Sequence, residues 1–108
     1  MSSFDFTEAG TWAGRSVARK ISQAQPRGRL VVTGTISGAG VVDIGGSRSG
    51  SYTLDDGTGQ VELVFLGRPK VAGLSCGVRL TVEGTSRMDR GKLVVWNPLY
   101  RIEPSDDR

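Results

Sequence analysis

From Leu30 onward the apolar residues recur at every second position. Leu30, Val32, Gly34 and Ile36 alternate with Val31, Thr33 and Thr35, the period of a strand with one face buried. A second apolar patch, Val41 to Ile44, follows Gly38 and Gly40, so the pattern predicts one long strand bent or bulged at its glycines. Tyr52 and Leu54 share the inward side of a second strand, and Val61, Leu63 and Phe65 that of a third. Between them, DGTG from Asp56 to Gly59 supplies residues that tolerate positive φ and hydrogen-bond locally, which predicts a hairpin. Val78, Leu80 and Val82 alternate with Arg79, Thr81 and Glu83 in a fourth strand, and KLVVWNPLYRI from Lys92 forms a fifth, interrupted at Pro98. VAGLSCG, from Val71 to Gly77, is bounded by glycine and long enough only for a single turn or a 3₁₀ segment. Two stretches remain as loops: GGSRSG, flexible and with Arg48 at its centre, and TSRMDRG, a charged hairpin loop from Thr85 to Gly91.

Upstream the period changes. Ala13, Val17, Ile21 and Ala24 recur at helical spacing with Arg15, Arg19 and Ser22 on the opposite side, which predicts a short amphipathic helix over residues 12–24 with Thr11 as N-cap. Pro26 and Gly28 end it, and the first ten residues have no clear period and are expected to be loosely ordered. Five strands, a small connector between the third and fourth, and no strand–helix alternation predict an all-β fold with one N-terminal helix, closed or nearly closed into a small barrel. A mixed sandwich is the rival architecture. A chain of 108 residues is one domain, divided here into an N-terminal arm and helix (residues 1–27), the barrel (28–103) and an acidic tail (104–108).

Composition narrows the chemistry. Aromatics are only 6% of the chain against 37% hydrophobic residues, so the core must be largely aliphatic. The chain holds no histidine and one cysteine, Cys76. A Ser-His-Asp or Cys-His arrangement cannot be built from that inventory, nor a histidine or multi-cysteine zinc site. No phosphate-cradling glycine motif occurs, and the adjacent carboxylates Asp55 and Asp56 are turn residues rather than a pair sharing one substrate. The expectation is therefore no enzymatic activity, no metal and no cofactor. No apolar run approaches the roughly 18 residues of a membrane span, and the N-terminal MSSFDFTEAG lacks the features of a signal peptide. With a lone cysteine that forms no intrachain disulfide, the protein is expected in the cytoplasm with no membrane partner.

Charge points to a partner through its distribution rather than its total of +3. Arg48 lies in the first long loop, Arg68 and Lys70 follow the third strand, and Arg87, Arg90 and Lys92 belong to the last hairpin. Flexible cationic loops flanking a strand-borne platform suit a single-stranded nucleic acid, whose phosphates meet Arg and Lys while its bases lie against the sheet. The competing reading of the same residues is ordinary loop solvation. Tyr52 and Phe65 share the parity of the aliphatic inward residues and belong to the core. Trp96 faces either way, depending on whether Pro98 marks a bulge, and as an outward residue it is a candidate for stacking on a base. Trp12 stacks on a base, packs on the barrel or meets a partner. Glu62 points outward from mid-sheet, where it repels phosphates.

VVTGTI, then YTLDDGTGQVELVFLGR, then GLSCGVRLTVEGT, together spanning most of residues 30–85, resemble the nucleic-acid-binding OB-fold domains of aminoacyl-tRNA synthetase anticodon-binding regions and of branched-DNA helicases. The arrangement is also similar to small stand-alone OB proteins of high-GC bacteria, in keeping with the preponderance of Arg over Lys. The L-x-D-x-T-G pattern of Leu54, Asp56, Thr58 and Gly59 marks the fold more than the binding. The resemblance implies a five-stranded Greek-key barrel whose ligand face crosses the second and third strands, between the loops joining strands one to two and four to five. On this sequence those loops are GGSRSG with Arg48 and TSRMDRG with Arg87 and Arg90. It implies binding of single-stranded DNA or RNA with low sequence specificity; OB barrels also serve as protein-interaction modules, so docking of a protein partner through barrel and helix is the alternative. The chain departs from the pattern at the outward positions Ser51, Thr53, Glu62 and Val64, which offer no stacking aromatic, and its Arg-rich N-terminal segment lies outside the resemblance.

Overall fold

A computed structural model of the protein describes residues 20–24 and 28–104. Its longest strand, β1 (Arg29–Ile44), has too many residues for one partner and pairs with two in succession. Its first half runs antiparallel to β4 (Arg79–Asp89), from Arg29 opposite Thr85 to Thr35 opposite Arg79. Its second half runs antiparallel to β2 (Ser47–Asp55), from Thr35 opposite Asp55 to Ile44 opposite Ser47. The register slips between Ile36 and Gly38, a bulge that increases local twist and turns the strand from one partner to the other. Glycine at position 34 permits the crossing, because a Cβ there would stand 2.8 Å from the Asp55 carbonyl oxygen and 3.0 Å from its carbon.

The remaining pairings close a ring. β2 runs antiparallel to β3 (Gln60–Phe65), β3 runs parallel to β5 (Lys92–Trp96), and β5 runs antiparallel to β4, which returns to β1. The circuit β1-β2-β3-β5-β4 is a closed five-stranded barrel and rules out the sandwich. A short β6 (Leu99–Ile102) lies antiparallel along Leu80 to Glu83 of β4. Inside, the predicted inward sets converge: Leu30, Val32 and Ile36, then Tyr52 and Leu54, then Val61, Leu63 and Phe65, then Leu80 and Val82 are all buried together with Val95. Phe65 meets Tyr52 and Tyr100 edge to face, with ring centroids 5.8 Å apart in each pair. The Tyr52 hydroxyl, buried with its ring, accepts the Val71 N–H at 3.1 Å. Val71 and Leu74 of the short connector pack onto the same core.

Three local expectations need correction. GGSRSG is not a flexible loop: only Gly45 and Gly46 make the turn, with φ of +57° and +87°, and Arg48 already belongs to β2. TSRMDRG is likewise mostly strand, with Arg90 and Gly91 forming the turn at φ of +54° and +82°. Two successive positive φ angles match the twist of the flanking strands, so both hairpins close in two residues. The predicted N-terminal helix lies mostly outside the described residues, including Thr11, Trp12, Arg15 and Arg19. Its described end is a single 3₁₀ turn, Ile21–Gln23, with extended backbone at Lys20 and Ala24.

The cause of that turn is the acidic hairpin. Asp56 Oδ2 accepts the Ile21 N–H at 2.8 Å and the Thr58 hydroxyl accepts the Ser22 N–H at 3.1 Å, so tertiary acceptors take the backbone donors and Ile21 is drawn into the core. The other oxygen of Asp56 accepts from the Thr58 N–H, the Thr58 hydroxyl and the Gly59 N–H. Asp55 accepts from the Gly57 N–H and the Gln60 amide. Both carboxyls are held below their ordinary value of 3.8. For Asp55 the chief cause is the Gly57 hydrogen bond, followed by Gln60. For Asp56 the largest influence, desolvation, acts upward, and the hydrogen bonds from Ile21, Thr58 and Gly59 together outweigh it.

Two predictions follow from this geometry. Gly34→Ala forces the β1 crossing apart and is expected to lower stability by about 1–3 kcal/mol, measured by urea unfolding. Asp56→Ala is expected to cost about 1 kcal/mol at neutral pH through the lost hydrogen bonds to Ile21, Thr58 and Gly59. Because the folded Asp56 has the lower pKa, its contribution is complete above 3.8 and disappears as pH falls through the folded value. The gap between wild type and Asp56→Ala in urea midpoint should therefore shrink as the acid limit is approached.

Candidate nucleic-acid interface

Alternation along three strands that bury one side leaves a second set of residues on the outside of the barrel. On β2 these are Ser51 and Thr53, on β3 Gln60, Glu62 and Val64, and on β5 Lys92, Val94 and Trp96. Register arranges them in rows. Thr53 lies beside Glu62, Glu62 beside Val94, and Val94 beside Arg87 of β4, while Ser51 lies beside Val64 and Val64 beside Trp96. Trp96 is thereby resolved as outward and half-buried, since its neighbour Val95 is in the core. Its setting depends on Asn97, a residue with φ of +52° whose N–H donates to the Val64 carbonyl at 2.7 Å and whose Oδ1 accepts the Leu66 N–H at 2.9 Å. Sequence reasoning passed over Asn97, although an asparagine before proline at the end of a strand is a turn signal.

Glu62 stands in the middle of the face, as its parity requires, and is tied sideways to β2. The Ser51 hydroxyl donates to Glu62 Oε2, and the Thr53 hydroxyl donates to Oε1 at 3.0 Å. Next to it is a hollow of about 230 Å³, lined by Thr53, Gln60, Glu62, Lys92 and Leu93. Sequence alone does not reveal this hollow, because β3 and β5 are neighbours only through the long-range parallel pairing.

The candidate cations form two groups of three rather than one cluster. β2 opposes β3 in direction and β5 follows it, so the β1–β2 and β4–β5 tips lie at opposite ends of the face. The six residues of β3 separate them by about 17 Å of strand. At the Phe65 end are Arg48, Arg68 and Lys70. The Arg68 carbonyl there accepts the Gly50 N–H at 2.8 Å, and the Arg68 guanidinium sits 5.8 Å from the Phe65 ring centroid. Arg48 has the parity of Gly50 and Tyr52 and so leaves the ribbon on the side opposite Ser49 and Ser51. At the Gln60 end are Arg87, which shares the row of Glu62 and Val94, and Arg90 and Lys92 of the hairpin. All six are exposed. Among the described residues, ion pairs join Arg29 to Glu83 and Arg101 to Glu103, on the β1, β4 and β6 side of the barrel, and none involves these six.

No protein-family model matches the chain, and no curated protein matches it. Solved structures do. The second OB-fold domain of replication protein A from Methanococcus maripaludis is similar at a TM-score of 0.63 and 16% identity, over 85% of this chain and 100% of that one. A replication factor A related protein from Methanobacterium thermoautotrophicum gives 0.59 and 15% identity, over 81% and 91% of the two chains. A replication protein A heterotrimer bound to single-stranded DNA gives 0.55 and 16% identity, over 84% and 69%. At these identities the likeness is one of fold. With the ring order β1-β2-β3-β5-β4 and its parallel closure between β3 and β5, it makes the chain an OB-fold domain.

Proposed function

We propose that the protein is a non-catalytic binder of single-stranded nucleic acid, which it holds across the outer face of β2, β3 and β5. The observation that carries this reading is a sheet face that presents Trp96 outward and has exposed cations at both of its ends. Val64 and Val94 on this face are buried, at 5% and 4% exposure, so the half-buried Trp96 beside them is the apolar surface on which a base can stack. Arg68 and Lys70 at one end, with Arg48 on the other side of the same ribbon, and Arg87, Arg90 and Lys92 at the other end make no ion pair among the described residues, unlike Arg29 and Arg101. A flexible polyanion entering at one tip and leaving at the other satisfies both features. The fold neighbours support it, one of them having been solved as a heterotrimer bound to single-stranded DNA.

A protein partner is the second reading, and one observation favours it. Val41 and Val42 are 46% and 37% exposed near the tip of the β1–β2 ribbon, where β1 has β2 on one edge and, among the described residues, no strand on the other. Recovery of one stoichiometric protein after nuclease treatment, lost on substituting Val41 and Val42 by Thr, would support this use of the ribbon.

Fluorescence anisotropy of labelled single-stranded DNA and RNA across a salt series tests the main proposal. Affinity should fall linearly in log–log form, with a slope of about −0.7 per neutralised phosphate. Arg87→Glu and Arg90→Glu should each weaken binding and flatten the slope, whereas Arg79→Glu, at the far end of β4, should do neither. Absence of binding at low salt would exclude the proposal. Trp96→Ala should lose about 1–3 kcal/mol of binding if a base stacks there, with the salt slope unchanged because no charge is removed.

A further inference from the structure

A carboxylate in the middle of a surface meant for a polyanion needs an account, and Glu62 supplies the means for one. We infer that Glu62 reads a nucleobase, and that the base it selects is guanine; this rests on the binding proposal above and narrows it from low sequence specificity to a preference at one position. A carboxylate only accepts hydrogen bonds and offers about four lone-pair sites. The hydroxyls of Ser51 and Thr53 each occupy one, on different oxygens, which fixes the plane of the group and leaves each oxygen an acceptor site. Half-burial of Glu62 keeps those sites reachable from solvent.

The chemistry of the neighbours decides what fits. A phosphate is repelled from this position, so the backbone is confined to the cationic ends and a base turns inward. The Watson–Crick edge of guanine presents two adjacent donors, N1–H and the N2 amino group, which match two acceptors on one carboxylate, and next to them the acceptor O6. Lys92 lines the same hollow as Glu62, and its ammonium supplies three donors, one of which can take O6. Cytosine and adenine each offer one amino donor beside a ring acceptor. Thymine and uracil place carbonyl oxygens on both sides of their single N–H, facing the carboxylate. The order of preference is therefore guanine first and thymine or uracil last. The hollow, about 230 Å³, lies on the same face as Trp96, so neighbouring bases retain a stacking surface.

The test uses the full chain and labelled oligonucleotides of about a dozen residues, within the range of single OB barrels. These are dT throughout, dT with three dG interspersed, and the same with inosine for each dG. The dG oligonucleotide should bind about fivefold or more tighter than all-dT, the low end for a bidentate base contact. Inosine, which lacks only the N2 amino group, should lose most of that advantage. Glu62→Gln should bind dG and dT oligonucleotides alike, while gaining affinity for all of them through the lost negative charge. Equal binding of dG and dT by the wild type overturns the inference and leaves the binding proposal standing; no binding of any oligonucleotide at low salt overturns both. A guanine preference that survives in folded Glu62→Gln removes Glu62 as its source. Should that variant fail to fold, the inosine comparison on the wild type decides, since undiminished affinity for inosine contradicts the N2 contact.

Discussion

The double pairing of β1 is the constraint from which the rest of the molecule follows. Thr35 faces Arg79 of β4 on one edge and Asp55 of β2 on the other, and a strand can change partners there only if it bends and if its backbone approaches that of β2 closely. The bulge after Ile36 provides the bend, and the missing side chain of Gly34 provides the approach. Once β1 joins β2 to β4, the sheet has no choice but to close through the parallel contact of β3 with β5. Closure buries the inward aliphatics on all sides. It also puts the two hairpin tips at opposite ends of one outer face.

How much of this was legible in the chain depends on the range of the interaction concerned. Strict alternation at Tyr52 and Leu54, Val61 to Phe65 and Leu80 to Val82 reported the inward face correctly, because a period of two is a local property and a buried side enforces it. The DGTG turn was equally legible, since its hydrogen bonds are made within four residues. GGSRSG misled because serine and arginine carry no apolar alternation, so strand β2 begins before its pattern does. The segment near Ile21 misled for another reason. Its helical spacing is real, but acceptors more than thirty residues away, on Asp56 and Thr58, take the N–H groups of Ile21 and Ser22, and its described end is one 3₁₀ turn. The cations were visible as a list; their division into two groups was not, because that division is a consequence of strand direction around the closed ring.

Charge on the barrel is organised by that same ring. Where β1, β4 and β6 meet, acid and base lie side by side, and Arg29 and Arg101 are engaged by Glu83 and Glu103. Around β2, β3 and β5, Asp55 and Asp56 are occupied by neutral donors within their turn and Glu62 lies between two hydroxyls, while Asp43 and Asp89 stand opposite Arg48 and Lys92 in the strand register. Among the described residues, the arginines and lysines at either end make no ion pair. An acid held by hydroxyls is positioned without being neutralised, which is what distinguishes Glu62 from a simple obstacle to phosphate and suits it to the amino edge of a base.

The central claim is that ligand lies on the outer face of β2, β3 and β5, and the most direct measurement is the map of backbone amide shifts on titration with single-stranded DNA or RNA. Perturbations are expected along Ser51, Thr53, Glu62, Val64, Val94 and Trp96 and at both hairpin tips, with Thr81, Glu83 and the strand Leu99–Ile102 unmoved. Shifts concentrated on β1, the start of β4 and β6, with the opposite face silent, would contradict it.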